Sequence, residues 1–272
     1  MLLFYRVGAI ALTTLCFGVP AFAQGKISPE PAADPRSEPL VTDRPDFTES
    51  ALTIPKGLSQ AEFGTTFAES GGDDENGFGE LLLRIGLNKK TELRVGVPTY
   101  LTTRAAADSG RSSGFADASL GFKFSLASAG DRLGLRQFDV GLIVATTLPT
   151  GSSAYREKKL QPGAKLLLAT AWTEKIAVSA NLNYDYVSET GEQFGEVSSS
   201  LSFGFVLSER TGAYLEYFGF YPAGDGRDDT NFLNTGTTYL LSNDLQLDAR
   251  VGKGLNRNQD DYFIGAGASV RF

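Results

Sequence analysis

Apolar and polar residues alternate at a period of two along most of the chain after Gly57. Between Ile176 and Tyr186, every second residue is apolar or aromatic, and the residues between them are small or polar. This period is typical of β-strands, because successive side chains of a strand point to opposite faces of the sheet. No period of three to four residues competes with it, so the pattern predicts an all-β protein.

The alternation predicts twelve strands with turn residues between them. Their approximate spans are 57–69, 78–87, 91–100, 115–126, 136–148, 162–172, 176–187, 194–206, 211–221, 231–241, 245–254 and 261–272. Short connections such as 88–90 and 242–244 tend to alternate with long ones, expected at 70–77, 101–114, 149–161, 188–193, 222–230 and 255–260. Consecutive antiparallel strands would therefore collect short turns at one end of the sheet and long loops at the other.

Many short alternating strands fit either a soluble sandwich or barrel, or an outer-membrane barrel. The predicted strands, about 10–13 residues each, are long enough to cross a bilayer at a tilt. An even strand number and the asymmetry between turns and loops are typical of outer-membrane barrels. Residues 57–272 are therefore predicted to form a transmembrane antiparallel up-and-down β-barrel of about 12 strands.

Aromatic residues near the predicted strand ends fit the interfacial girdles of such a barrel. They are Phe124, Trp172, Phe203, Tyr214 and Tyr239 near the short turns, and Tyr100, Phe115, Tyr186, Tyr217, Phe218, Phe220, Tyr221 and Tyr262 near the long loops.

The first 23 residues predict a secretory signal peptide. A short start with Arg6 precedes an apolar stretch, and Ala21-Phe22-Ala23 forms a cleavage site before Gln24. The alternative, a membrane anchor, would need about 20 apolar residues. The chain's single cysteine, Cys16, lies in this segment, so the mature protein would have no disulfide.

Residues 24–56 predict a proline-rich periplasmic linker followed by the polar segment TDRPDFTES, which starts at Thr42. One interpretation is a segment folded into the barrel mouth, and the alternative is a structured lead-in to the first strand. The residues of the possible plug are Asp43, Arg44, Pro45, Asp46 and Phe47.

Strict alternation continues to the last residue, as a strand that closes a barrel requires. The terminal Phe272 resembles the signal that the barrel assembly machinery recognises, which makes that machinery an expected partner.

If the apolar faces meet lipid, the interleaved charged residues line the interior. The predicted channel-lining residues are Glu62, Glu80, Arg84, Glu92, Arg94, Lys123, Asp139, Lys165, Asp185, Glu196, Glu216, Asp248 and Arg250, and Arg271 shares their face. Eight acidic against six basic side chains give a net charge of about −2 and a mild cation preference. These charges either pair across strands as structural elements or create a field along a narrow pore.

Composition excludes several functions. The absence of histidine removes Ser-His-Asp, Cys-His and histidine–metal chemistry, so we expect no enzyme, no metal and no cofactor. A net charge of −7 without a basic patch argues against nucleic acid. The expected partners are outer-membrane lipid and lipopolysaccharide, with acidic loops at 73–75 and 225–229 either binding shared divalent cations or simply solvated.

Several motifs resemble a bacterial outer-membrane family of transporter-like proteins associated by name with the meta-pathway of phenol degradation. They are TDRPDFTES, PKG at 55–57, QAEFG at 60–64, GVP at 96–98, TLPTG at 147–151, LQPGAKLLLA at 160–169 and the final strand. The resemblance implies passage of small molecules, aromatic ones among them, across the outer membrane, through the lumen or through a lateral opening near Pro98, Pro149 or Pro162. A structural or interaction barrel without a through-pore is the alternative.

Overall fold

The computed structural model describes residues 34–70, 72–105, 110–128, 138–189, 191–224, 226–256 and 262–272. The predicted signal peptide lies outside these ranges. Within them the backbone forms fifteen strand segments, with bounds as follows: β1 Ser59–Ser70, β2 Asp73–Phe78, β3 Leu81–Asn88, β4 Thr91–Val97, β5 Tyr100–Arg104, β6 Arg111–Phe115, β7 Ala118–Ser128, β8 Phe138–Leu148, β9 Gln161–Ala171, β10 Ile176–Glu189, β11 Glu192–Val206, β12 Thr211–Pro222, β13 Thr230–Ser242, β14 Leu245–Gly254 and β15 Tyr262–Arg271. No helix among the described residues is long and apolar enough to cross a membrane.

The fifteen segments make a closed antiparallel barrel of twelve strands. Strand β1 pairs with both β2 and β3. Segment β5 pairs with β2 and β4 pairs with β3, and β6 and β7 then pair with β5 and β4, so three barrel strands each consist of two segments. The last strand closes on the first, with Gly64 opposite Gly267, and the main chains of Ser59 and Phe272 exchange two hydrogen bonds of 2.8 Å. The predicted all-β barrel and its closure are confirmed.

The outer face is apolar and the inner face is mostly polar, as the alternation predicted. Leu215, for example, is 45% exposed on the outside of β12, whereas its neighbour Glu216 is 1% exposed in the lumen. The girdle interpretation was wrong for Tyr214, Phe218 and Phe220, since they share the inward face of β12 with Glu216. Period alone cannot separate a lipid-facing aromatic residue from an inward one when both faces carry aromatics.

The expected long loops were partly wrong. Residues 73–77 and 111–114 are strand, residues 188–189 pair with 192–193 as strand, and Asp74 forms an ion pair with Arg104. These pieces escaped detection because their side chains are polar on both faces, while main-chain ladders hold them in the wall. Gly79, with φ +68°, separates β2 from β3.

Candidate functional site: a segment inside the barrel

Residues 40–56, called the lumen segment, lie inside the barrel. The chain enters at the short-turn end, where the Leu40 amide donates to the Asn243 carbonyl (2.7 Å), and leaves at the same end, where the Gly57 amide donates to the Gly86 carbonyl (2.9 Å). Between these points the segment contacts β1, β3, β4, β7, β9, β11, β12 and β14. It therefore spans the lumen from wall to wall.

Asp43 is the centre of a buried ion cluster. Its Oδ2 lies 2.7 Å from Nζ of Lys123, 2.5 Å from Nη1 of Arg94 and 3.4 Å from Nη1 of Arg84. Its amide donates to the carboxylate of Glu62 (2.9 Å). Burial alone would raise the pKa of Asp43, but the three cations together hold this pKa well below its usual value. The carboxylate stays ionised and ties three strands to one residue of the segment.

Arg44 covers the seam between the first and last strands. Its guanidinium lies 3.0 Å from a Glu80 oxygen and 3.2 Å from an Asp248 oxygen. A Cβ on Gly267 would lie 2.6 Å from Nε of Arg44, and a Cβ on Gly64 would overlap the guanidinium. The two glycines therefore leave the space in which Arg44 lies against the wall.

Glu216 receives the middle of the segment. Its carboxylate accepts hydrogen bonds from the amides of Phe47 (2.9 Å) and Thr48 (2.6 Å), and the Thr48 hydroxyl donates to Ser200 (2.7 Å). Asp46 accepts a hydrogen bond from Ser202 (3.1 Å). Burial and the neighbouring Glu216 carboxylate raise the pKa of Asp46 well above its usual value. Of these two carboxylates of the segment, Asp43 is thus held ionised and Asp46 is pushed toward its protonated form.

The second half of the segment combines ion pairs with a small apolar contact. Glu49 pairs with Arg94 (2.7 Å) and Lys165 (3.2 Å). Ala51 packs against Ile143 and Leu167, a buried apolar cluster on a mostly polar inner wall.

The thirteen predicted channel-lining residues divide into two groups. Ten contact the lumen segment directly: Glu62, Glu80, Arg84, Glu92, Arg94, Lys123, Lys165, Glu216, Asp248 and Arg250. The other three are Asp139, Asp185 and Glu196. Asp139 accepts a hydrogen bond from Ser128, and Asp185 lies opposite Glu196 on neighbouring strands and lines the same cavity as Glu49 of the segment.

Beyond the segment the lumen opens into a cavity of about 540 Å³. Arg44, Phe47 and Glu49 form its floor, and Lys165 and Asp185 belong to its wall. The described residues therefore leave a cavity on the long-loop side of the segment. The described residues include no cluster of three or more histidine, cysteine or acidic side chains placed to hold a metal ion.

Sequence reasoning missed several residues of the site. Glu49 belongs to the same TDRPDFTES stretch as the named plug residues. Its position two residues after Phe47 could have identified it as a further residue of the segment. Neutral wall residues such as Gln60 and Asn234 were not predicted, because the channel-lining residues were identified by their charge alone. Arg271 binds Asp244 and the carbonyl of Glu38 at the short-turn end.

Comparisons with known proteins agree with this architecture. A family model described as "Putative MetA-pathway of phenol degradation" matches residues 42–272. The NanC porin structure is similar with a TM-score of 0.55 at 11% identity, covering 79% of this chain and 99% of that one. The KdgM porin gives 0.49 at 12% identity, covering 78% and 99%. No curated protein matches. The likeness to NanC shows the fold of an outer-membrane porin-type barrel.

Proposed function

Because this chain belongs to the family described as the putative MetA-pathway of phenol degradation, we propose that it is an outer-membrane channel for small molecules, gated by its own lumen segment. The observation that carries this proposal is the way the segment is attached. It enters and leaves at one end, and it is held largely by side-chain ion pairs and hydrogen bonds to the wall. Its release would leave every main-chain ladder of the barrel intact.

The family description favours aromatic or hydrophobic solutes, and the same route would serve ions in a conductance assay. With the segment displaced, the wall charges carry a small negative excess and favour cations weakly. The β8–β9 ladder includes Pro162, which lies opposite Thr146, so the wall is paired on that side of Pro162.

The proposal also includes the expected route to the membrane. A signal peptide removed after Ala23 would deliver the chain to the periplasm, with the lumen segment and the short turns on that side. Phe272 would then present the end of β15 to the assembly machinery.

A permanently closed structural barrel is the second candidate, and the density of the Asp43 cluster favours it. Paired charges inside a barrel can serve stability alone. The two candidates differ in whether the segment ever leaves its position.

A disulfide that fixes the segment to the wall separates them. The hydroxyl oxygens of Thr48 and Ser200 are 2.7 Å apart, so the variant T48C/S200C places two thiols in reach in a mature chain that otherwise has no cysteine. The matched control is N183C/S198C, whose parent side chains are 2.9 Å apart and join two neighbouring wall strands.

Single-channel conductance in planar bilayers is measured for both variants, oxidised and reduced, and for a chain lacking residues 24–50. We expect current steps in the reduced T48C/S200C variant, their loss on oxidation, no redox effect in the control, and steady conductance in the truncated chain. Equal conductance of T48C/S200C in both redox states would exclude the segment as the gate. Silence of every form, truncated chain included, would favour the structural barrel.

A further inference from the structure

Five phenylalanine rings meet inside the otherwise polar lumen. Phe218 is stacked on Phe47 of the lumen segment (centroids 4.7 Å apart, planes at 14°) and on Phe232 (4.8 Å, 13°). Phe220 meets Phe47 edge-on at 5.3 Å, and Phe263 lies 6.2 Å from Phe232. The four wall rings come from β12, β13 and β15.

A second cavity, of about 260 Å³, lies against these four wall rings. Its lining also includes the polar residues Thr66, Glu75, Glu80 and Arg250, together with Ala68 and Leu101. Arg250 is fixed in place, since it donates to the Pro45 carbonyl (3.1 Å) and the Thr66 hydroxyl (2.8 Å). The cavity thus combines an aromatic surface with charged and hydroxyl groups.

Closing the barrel does not require aromatic residues at these inward positions. Further along β12 and β13 the inward residues are Glu216 and Asn234, which are hydrogen-bonded to each other, and Glu216 also binds the segment. Apolar rings that border a cavity in a polar lumen offer a surface for an apolar ligand, and a few polar groups in the same lining would orient it.

We propose that this cavity is a binding subsite for a single aromatic ring that carries a neutral hydroxyl group. The ring packs against Phe232 and Phe263 in the stacked or edge-on arrangements that aromatic pairs prefer. Two carboxylates against one guanidinium in the cavity lining disfavour an aromatic carboxylate and favour a hydroxyl that donates a hydrogen bond. The subsite deepens the proposed channel function and rests on it for its role in transport.

The test is equilibrium binding in lipid nanodiscs, followed by ¹⁹F NMR. The probes are 4-fluorophenol and the non-aromatic 4,4-difluorocyclohexanol. Phe232→Leu and Phe263→Leu remove one ring of the subsite each. Phe122→Leu is the matched control. Phe122 is 40% exposed on the outer face of β7, so this substitution removes the same kind of ring at the lipid surface.

Saturable binding of 4-fluorophenol to the unmodified chain is expected, with Kd rising about 2- to 10-fold in each subsite variant, as the loss of one aromatic contact implies. The control variant should match the unmodified chain, and the cyclohexanol should bind more weakly and equally to all. Three results would overturn the subsite: equal binding of both probes, equal effects of Phe122→Leu and the subsite variants on Kd, or purely non-saturable partition of 4-fluorophenol. Binding is measured without transport, so a barrel that binds the phenol yet never conducts would refute the channel and leave the subsite standing.

Discussion

Replacing Asp43 by asparagine should release the lumen segment without unfolding the barrel. The substitution keeps the size of the side chain and removes the negative charge that faces Lys123, Arg94 and Arg84. Three buried cations would then share only the carboxylates of Glu62, Glu92 and Glu49.

Breaking a buried ion pair by removing one partner costs about 3–5 kcal/mol. At about 1.4 kcal/mol for each factor of ten, the released state should become roughly 10²- to 4 × 10³-fold more populated. The barrel ladder does not include Asp43, so heat-dependent migration of the folded barrel on a denaturing gel should not change.

The assay is maleimide labelling of a single cysteine introduced by Thr48→Cys, at a site that is 4% exposed in the docked segment. When the segment re-docks faster than the reagent reacts, the labelling rate follows the population of the released state. Asp139→Asn is the control, because Asp139 is also buried and accepts a hydrogen bond from Ser128 of the wall. A rise below about threefold for Asp43→Asn, or an equal rise for the control, would refute the assigned role of the cluster.

Three further changes test other parts of the site. Burial and Glu216 raise the pKa of Asp46, so the stabilisation of the docked segment by protonated Asp46 is complete below the usual carboxyl pKa and is lost as pH rises from about 4 through the raised pKa. The labelling rate at position 48, divided by that of an unfolded peptide at the same pH, should therefore rise with pH. Asp46→Asn should flatten that rise. A methyl group on Gly64 overlaps the Arg44 guanidinium, so Gly64→Ala should increase labelling about tenfold, whereas Gly204→Ala, whose nearest neighbour is 3.9 Å away, should leave it unchanged. The side chain of Phe272 is 57% exposed and its main chain holds Ser59, so Phe272→Ala should lower the folded yield in cells but not in refolding, and an equal loss in both would contradict a recognition role.

The sequence predicted the barrel because its strands alternate on both sides of the wall. The apolar Leu215 and the charged Glu216 predict the outer and the inner face of β12 by their chemistry alone, and Leu120 and Lys123 do the same on β7. Segments such as Asp73–Phe78 were missed because main-chain pairing holds them and their side chains carry no alternation.

The site was predicted in its parts and not in its arrangement. The charged residues of the wall and of TDRPDFTES were identified, but their partners were not, and the structure pairs Arg44 with Glu80 and Asp248. Those partners lie 36 and 204 residues away along the chain. Only the closed barrel brings them together, so no local pattern could reveal them.

The position of Arg44 has a consequence for how the barrel finds its register. The seam strands carry many small residues, and a shift of two positions would keep every side chain on its proper face. Such a shift in one direction would put Ser269 opposite Gly64, and its side chain would occupy the space that Gly267 leaves for Arg44. Docking of the lumen segment is therefore compatible with the observed alignment and not with that slipped one. Docking of the segment, which spans the lumen, therefore depends on the correct alignment of the last strand with the first.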